Sequence, residues 1–254
     1  MRITLTSIPG LPEFHPGDDL MGIVLRGLAE AGMELEAGDV LVVAQKVVSK
    51  VEGQIVDLAQ VSPGERARAL AGETGKDARL VELILRESEE VSRVAPGLLL
   101  VRHRLGFTSA NAGIDRSNVR QGAHGEELVL LLPQDPDASA ARLRQEIGNA
   151  LGLAVGVLIV DSHGRPFRIG SVGVAIGVAG LPALWDRRGE RDLYGFKLRH
   201  TDVAVADEIA AAAGLLMGQA AEGLPVVVVR GLRLPDGEGS ARELVRAKEK
   251  DLYR

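Results

Sequence analysis

The sequence predicts a mixed α/β fold: mixed β-sheets with flanking helices, in a single unit spanning 1–254 with its core at about 3–232. Three observations carry this. Apolar runs at 40–44, 153–160 and 224–229 have the length and β-branched content of strands buried on both faces. Helical spacing recurs before and between them, as at Leu20, Ile23, Val24 and Leu28, and again at Leu143 and Ile147. The two kinds of signal do not alternate strictly, which argues against a doubly wound parallel sheet.

In chain order, residues 3–7 alternate as a short strand, and 8–17 form a Pro/Gly-rich loop. Asp18 and Asp19 precede the first helix as capping residues. After a turn at Gly38-Asp39, the strand 40–44 runs directly into the polar stretch 45–53. Ser62 and Pro63 read as the N-cap and first position of a charged helical region that continues to about Ser92, with Leu80, Leu83, Ile84 and Val91 inward. Pro96-Gly97 turns into a strand at 98–101, and a further strand is expected at 127–132. A helix follows at 138–151. The strand 153–160 is expected to end at Asp161 and give way to a polar loop, 162–168, before the small-residue strand 170–177. Thr201-Asp202 caps an Ala-rich helix reaching Gly214, the last strand is 224–229, and the tail 240–254 is charged and helical.

Composition narrows the function classes. With 254 residues the chain supports a sizeable core, and with 3% aromatics that core is built from Val, Leu, Ile and Ala. A net charge of −5 offers no polyanion-binding surface, so no nucleic-acid partner is expected. The absence of cysteine excludes disulfides, thiolate zinc sites and cysteine nucleophiles. Pro9, Pro12 and Pro16 interrupt any apolar signal core, and no apolar run approaches the ~20 residues of a membrane span, so a cytoplasmic location and no membrane partner are expected.

The stretch 109–118, SANAGIDRSN, is poor in both helix and strand formers and dense in small and polar groups. Asp115, Asn111, Asn118 and Arg116 suit oxygen ligation of a hard cation and recognition of phosphate or base. Asp161 at a strand end, with Ser162 beside it, gives a second hard-ligand position, and Glu222 a weaker third. Lys46 and Lys50, with Ser49 between them, are placed to hold phosphates. His163, Arg165 and Arg168 lie near Asp161, the arginines as candidates for an anionic substrate. Gly170, Gly173 and Gly177 have the wrong spacing for a dinucleotide fingerprint, and no Walker A sequence is present.

Taken together, several blocks resemble the coenzyme F420-0:L-glutamate ligases: LPEF at 11–14 with GDDL at 17–20, KVVSK at 46–50 with Glu52-Gly53, ANAGID at 110–115 with Ser117-Asn118, Asp161-Ser162 with GRP at 164–166, VAIG at 174–177, and MGQA at 217–220 with Glu222-Gly223. They are collinear over roughly 3–232. The resemblance implies a GTP-dependent amide ligase that adds L-glutamate to the precursor F420-0, and then further γ-linked glutamates, through an acyl phosphate. It implies two divalent ions, Mg²⁺ or Mn²⁺, allows a K⁺, and makes GTP a co-substrate. Metal ligands would be Asp115, Asp161, Ser162 and Gln219. GTP contacts would come from Leu11, Pro12, Glu13, Phe14, Gln45, Lys50 and Asn118, and from Met217, Gly218, Gln219, Ala220, Ala221, Glu222, Gly223 and Leu224. Asp115, Asp161 and Lys50 would be the catalytic set, in an intertwined homodimer. Three positions depart from the family pattern: Ser162 for a frequent threonine, His163 for a frequent apolar residue, and Ala221 for an expected acid. Two other readings use the same side chains, a metal-dependent nucleotide or phosphoester hydrolase and a non-catalytic nucleotide-binding protein.

Overall fold

A computed structural model describes residues 1–123 and 125–251; His124 and the last three residues of the expected tail lie outside them. Its centre is a five-stranded sheet in the order β1 (Thr4–Ser7), β12 (Val226–Arg230), β2 (Val40–Ala44), β8 (Gly156–Arg165), β9 (Arg168–Ala179). Only β2 and β8 pair in parallel; the other neighbours are antiparallel. The fold is therefore the expected mixed α/β arrangement.

The apolar runs form strands because both faces of the sheet are covered. Leu41, Val43, Val157, Ile159, Val226 and Val228 face one core, built with α1 (Leu20–Glu30) and α5 (Pro136–Leu151). Val40, Val42, Leu158, Val160, Val227 and Val229 face the other, against α6 (Val205–Met217). Each fully buried Val, Leu or Ile contributes about 1.5–3 kcal/mol. The glycines of 173–177 serve this packing. A Cβ at Gly173 would sit 2.5 Å from the Ala210 carbonyl oxygen of α6, and one at Gly177 2.3 Å from the Pro136 oxygen of α5. Their spacing reflects two helix crossings, which is why it fits no phosphate-binding motif.

β9 is an edge strand, and carboxylates seal it. Asp207 accepts from Ala175 N (2.9 Å) and Asp137 from Val178 N (2.8 Å), so donors that would recruit another strand are satisfied.

A smaller lobe holds α2 (Gln45–Val51), β3 (Ile55–Asp57), α3 (Glu65–Thr74), α4 (Ala78–Arg86), β4 (Ser88–Ala95), β5 (Leu98–His103), β6 (Thr108–Ala110) and β7 (Leu128–Leu130). β3 pairs with β7, while β4, β5 and β6 form their own sheet. A two-stranded pair, β10 (Trp185–Asp186) and β11 (Asp202–Val203), brackets an exposed loop.

Several sequence expectations are corrected. The helix at 62–92 is two helices followed by a strand. Gly64, not Ser62, is the N-cap of α3, because its backbone N–H is held by Glu82 (3.0 Å). Residues 88–92 belong to β4. β-bulges there place Val91 and Val94 inward at a spacing of three, which reads as helical in sequence. Asp161 does not end its strand: β8 continues through the expected 162–168 loop to Arg165 and turns directly into β9. What ends near Asp161 is the pairing with β2, whose last partner on β8 is Val160. Residues 45–51 are a helix. Thr201-Asp202 does not cap α6, which starts from Ala204, and Asp202 lies in β11. The tail holds two short 3-10 turns, Ala241–Leu244 and Lys248–Lys250, and no longer helix among its described residues.

Candidate functional site

At the end of β2 the chain enters α2 with no side-chain cap, and the abrupt change places four polar residues. Gln45 and Ser49, one turn apart, are buried; Lys46 and Lys50, also one turn apart, border open space. Ser49 Oγ donates to Gln45 Oε1 (2.9 Å), which turns the Gln45 amide nitrogen toward Asp115 Oδ2 (2.8 Å).

Asp115 is presented by a strained loop. Asn111, Ala112 and Gly113 all have left-handed backbones (φ 52°, 55° and 64°). Left-handed geometry at a residue with a Cβ costs about 1 kcal/mol or more and persists only where surroundings enforce it. Here Asn111 Oδ1 accepts from Leu99 N (3.1 Å), and Ala112 is fully buried in the small-lobe core. The next turn of chain then bonds to β7: Asp115 N donates to Leu130 O and Leu130 N to Asp115 O, each at 2.9 Å. The backbone of Asp115 is thus fixed before its side chain makes any contact.

Asp115, Asp161 and the loops 11–14 and 217–224 line one cleft of about 910 Å³. Every residue to which the resemblance gave a role borders it: Leu11 to Phe14, Gln45, Lys50, Asp115, Asn118, Asp161, Ser162 and Met217 to Leu224. Asn118, itself left-handed (φ 55°), donates from Nδ2 to Ala220 O (2.9 Å) and ties two walls together. Glu222 accepts from Ala220 N (2.8 Å) and shapes its own loop, and Gly218 beside it adopts φ 69° and ψ −169°, a backbone essentially reserved for glycine.

The electrostatics are those of a site whose buried charges are only partly compensated. Burial pushes the Asp115 carboxyl up; the ammonium of Lys46 (3.2 Å) opposes this, and the negative charge of Asp161 adds to it. Burial likewise pulls Lys50 down, against the attraction of Glu13 and together with repulsion from Lys46 and Arg120. The hydrogen bond from Arg120 holds exposed Glu13 low, joining opposite lips of the cleft.

No group of three His, Asp or Glu side chains clusters around a metal position among the described residues. The hard-donor set is instead two interacting carboxylates, Asp115 and Asp161, with Ser162 and Gln219 lining the same cleft. That chemistry fits a small oxygen-seeking cation, whose charge would relieve the repulsion between the pair.

Other candidates are not in the cleft. Arg116 pairs with Glu127 (3.2 Å), Arg165 donates to Ile169 O (3.0 Å) in the β8–β9 turn, and Arg168 starts β9 beyond it. His163 stands behind Asp161. Arg120 borders the cleft and carried no signal of its own; Ser117, matched in the ANAGID block without a role, borders it too and accepts from Lys46 Nζ at its hydroxyl (2.8 Å).

A family model described as F420-0:gamma-glutamyl ligase matches residues 10–231. Curated proteins named coenzyme F420:L-glutamate ligase are similar over almost their whole lengths. That of Methanothermobacter thermautotrophicus is 47% identical over 258 residues (100% of each chain). That of Methanopyrus kandleri is 46% identical over 256 residues (99% and 98%), and that of Methanocaldococcus jannaschii 44% over 246 (96% and 94%).

Proposed function

We propose that this chain, which belongs to the F420-0:gamma-glutamyl ligase family, is a GTP-dependent ligase that joins L-glutamate to the carboxylate of F420-0 and then adds further γ-linked glutamates. One observation carries the reading. Blocks spread from Leu11 to Leu224 meet in a single cleft where two carboxylates face each other beside Lys46 and Lys50.

In the proposed sequence a precursor carboxylate oxygen attacks the γ-phosphorus of GTP. The bond to the bridging oxygen breaks and GDP leaves. The glutamate amine attacks the acyl carbon, the C–O bond to phosphate breaks, and the amine nitrogen loses a proton as the amide forms. Lys46 and Lys50 hold phosphate oxygens as point charges. Leu11 to Phe14, Gln45, Asn118 and the 217–224 loop enclose the nucleotide. Asp115, Asp161, Ser162 and Gln219 hold Mg²⁺ or Mn²⁺, which supplies charge neutralisation at the transferred phosphoryl group.

The test is incubation with F420-0, L-glutamate, GTP and Mn²⁺, with product masses read for successive glutamate additions. Phosphate release that requires both precursor and glutamate is expected. Release from GTP alone would make the protein a hydrolase, and GTP binding without turnover would make it a binding protein.

The same reading includes a homodimer. Its support is exposed apolar surface on two projections: Phe167 and Ile169 at the β8–β9 turn, and Leu193 and Tyr194 in the loop between β10 and β11. Light scattering at a monomer mass would remove it.

A further inference from the structure

Asp161 and His163 lie two residues apart on β8, so both side chains leave the same face of the strand. His163 Nε2 is 3.1 Å from Asp161 Oδ2. A carboxylate oxygen only accepts, so Nε2 is the protonated ring nitrogen. Both side chains are nearly buried, 13% and 11% exposed.

The ring is itself held. It packs against Phe107 at 4.9 Å between centroids, and Phe107 stacks on His103 at 5.2 Å with planes 8° apart. His103 is fully buried. It is locked by two hydrogen bonds: its backbone N–H donates to Phe107 O (2.8 Å), and its Nδ1 accepts from Leu105 N (3.0 Å). A rigid stack thus runs from the small-lobe core to one oxygen of Asp161.

We propose that His163 is a positioning residue for Asp161: it occupies Oδ2 and presents Oδ1 to the divalent ion in the cleft. This rests on the reading of Asp161 as a metal ligand. A ligating carboxylate held by an N–H donor has fewer orientations to lose when the ion arrives, and removal of such a partner typically costs 10–100-fold in metal affinity. No other donor to Asp161 is present among the described residues, so the carboxylate would be free to turn without His163. The ring also borders a second cavity of about 290 Å³, so substitution there does not force repacking of the sheet.

The experiment is Mn²⁺ binding to the intact protein, followed by electron paramagnetic resonance without substrates. His163→Leu is expected to weaken binding by about 10–100-fold. His163→Gln, whose amide nitrogen reaches the same position, is expected to stay within about threefold of wild type. Thermal unfolding of each metal-free variant monitors the fold. Wild-type affinity in His163→Leu, or equal weakening in the Leu and Gln variants, overturns the positioning role. Asp161→Asn separates the two readings. Loss of Mn²⁺ binding there with an unaffected His163→Leu overturns only the role of His163. Undiminished binding in Asp161→Asn overturns the metal reading and this proposal with it.

Discussion

Two sets of carboxylates in this protein have the same chemistry and opposite situations. Asp137, at the edge of the main sheet, has both of its oxygens engaged by the fold: Oδ1 takes Val178 N (2.8 Å) and Ala241 N (3.0 Å), and Oδ2 takes the Ser240 hydroxyl (2.6 Å). In the cleft, among the described residues, Asp161 accepts only from His163, on one oxygen; Asp115 takes the Gln45 amide (2.8 Å) and the Lys46 ammonium (3.2 Å), yet burial and the charge of Asp161 still push its carboxyl up. A carboxylate held on both oxygens by backbone and hydroxyl donors of the fold stabilises structure. One left with open lone pairs beside a like charge has capacity for a ligand.

The comparison breaks first at Asp115. Asp115→Asn is expected to lower ligase turnover by more than about a thousandfold, since on the proposed reading one of the two carboxylates that would hold the divalent ion loses its charge. Its melting temperature at pH 7 should be no lower than that of wild type, because the substitution also removes a buried charge repelled by Asp161. A variant that turns over normally, or that unfolds, would place Asp115 with the structural carboxylates.

Asp137→Ala should invert the pattern. It strands two backbone N–H groups and a hydroxyl, at an expected stability cost of about 3 kcal/mol in denaturant unfolding. Mn²⁺ affinity, measured where the variant remains folded, should be unchanged. Lost affinity with retained stability would show that the two sets are not distinct.

The smallest effect is expected at Glu87, a third situation. Burial pushes its carboxyl up, but Arg104 (2.9 Å) and the nearby His103 (3.5 Å) outweigh this and hold it below its ordinary value. The folded value lies below the unfolded one. The stabilisation is therefore complete above the unfolded value, about 4.3, and is lost as pH falls through the folded one. Glu87→Gln should lose about 1 kcal/mol at pH 7 and show a flatter decline in acid. A variant as acid-sensitive as wild type would remove Glu87 from this account.

Much of the fold is legible in the sequence where one periodicity dominates. The strand at 40–44 and the helix after Asp19 are both found where patterning and capping place them. The failures have physical causes. The bulges of β4 mimic helical spacing, and the outer half of β8, Ser162 to Arg165, carries polar His163 and Arg165 on its half-buried face, so no apolar alternation marks it. The residues of the cleft were legible as separate blocks of small and polar side chains. Their meeting was legible only through the family resemblance, because it depends on the order β12-β2-β8, which no local pattern encodes. The contacts of Arg120 and His163 were equally hidden, since each depends on a partner's orientation.

β12 is made last of the sheet strands yet sits between β1 and β2, the first two. During synthesis on a ribosome, the earliest strands therefore wait, without the neighbour they share, for a segment more than two-thirds of the chain away. The wall at 217–224 emerges just before that strand. A nascent chain thus holds both aspartates well before it holds the complete cleft, and a transcript truncated ahead of residue 226 yields a protein lacking the strand that joins β1 to the rest of its sheet.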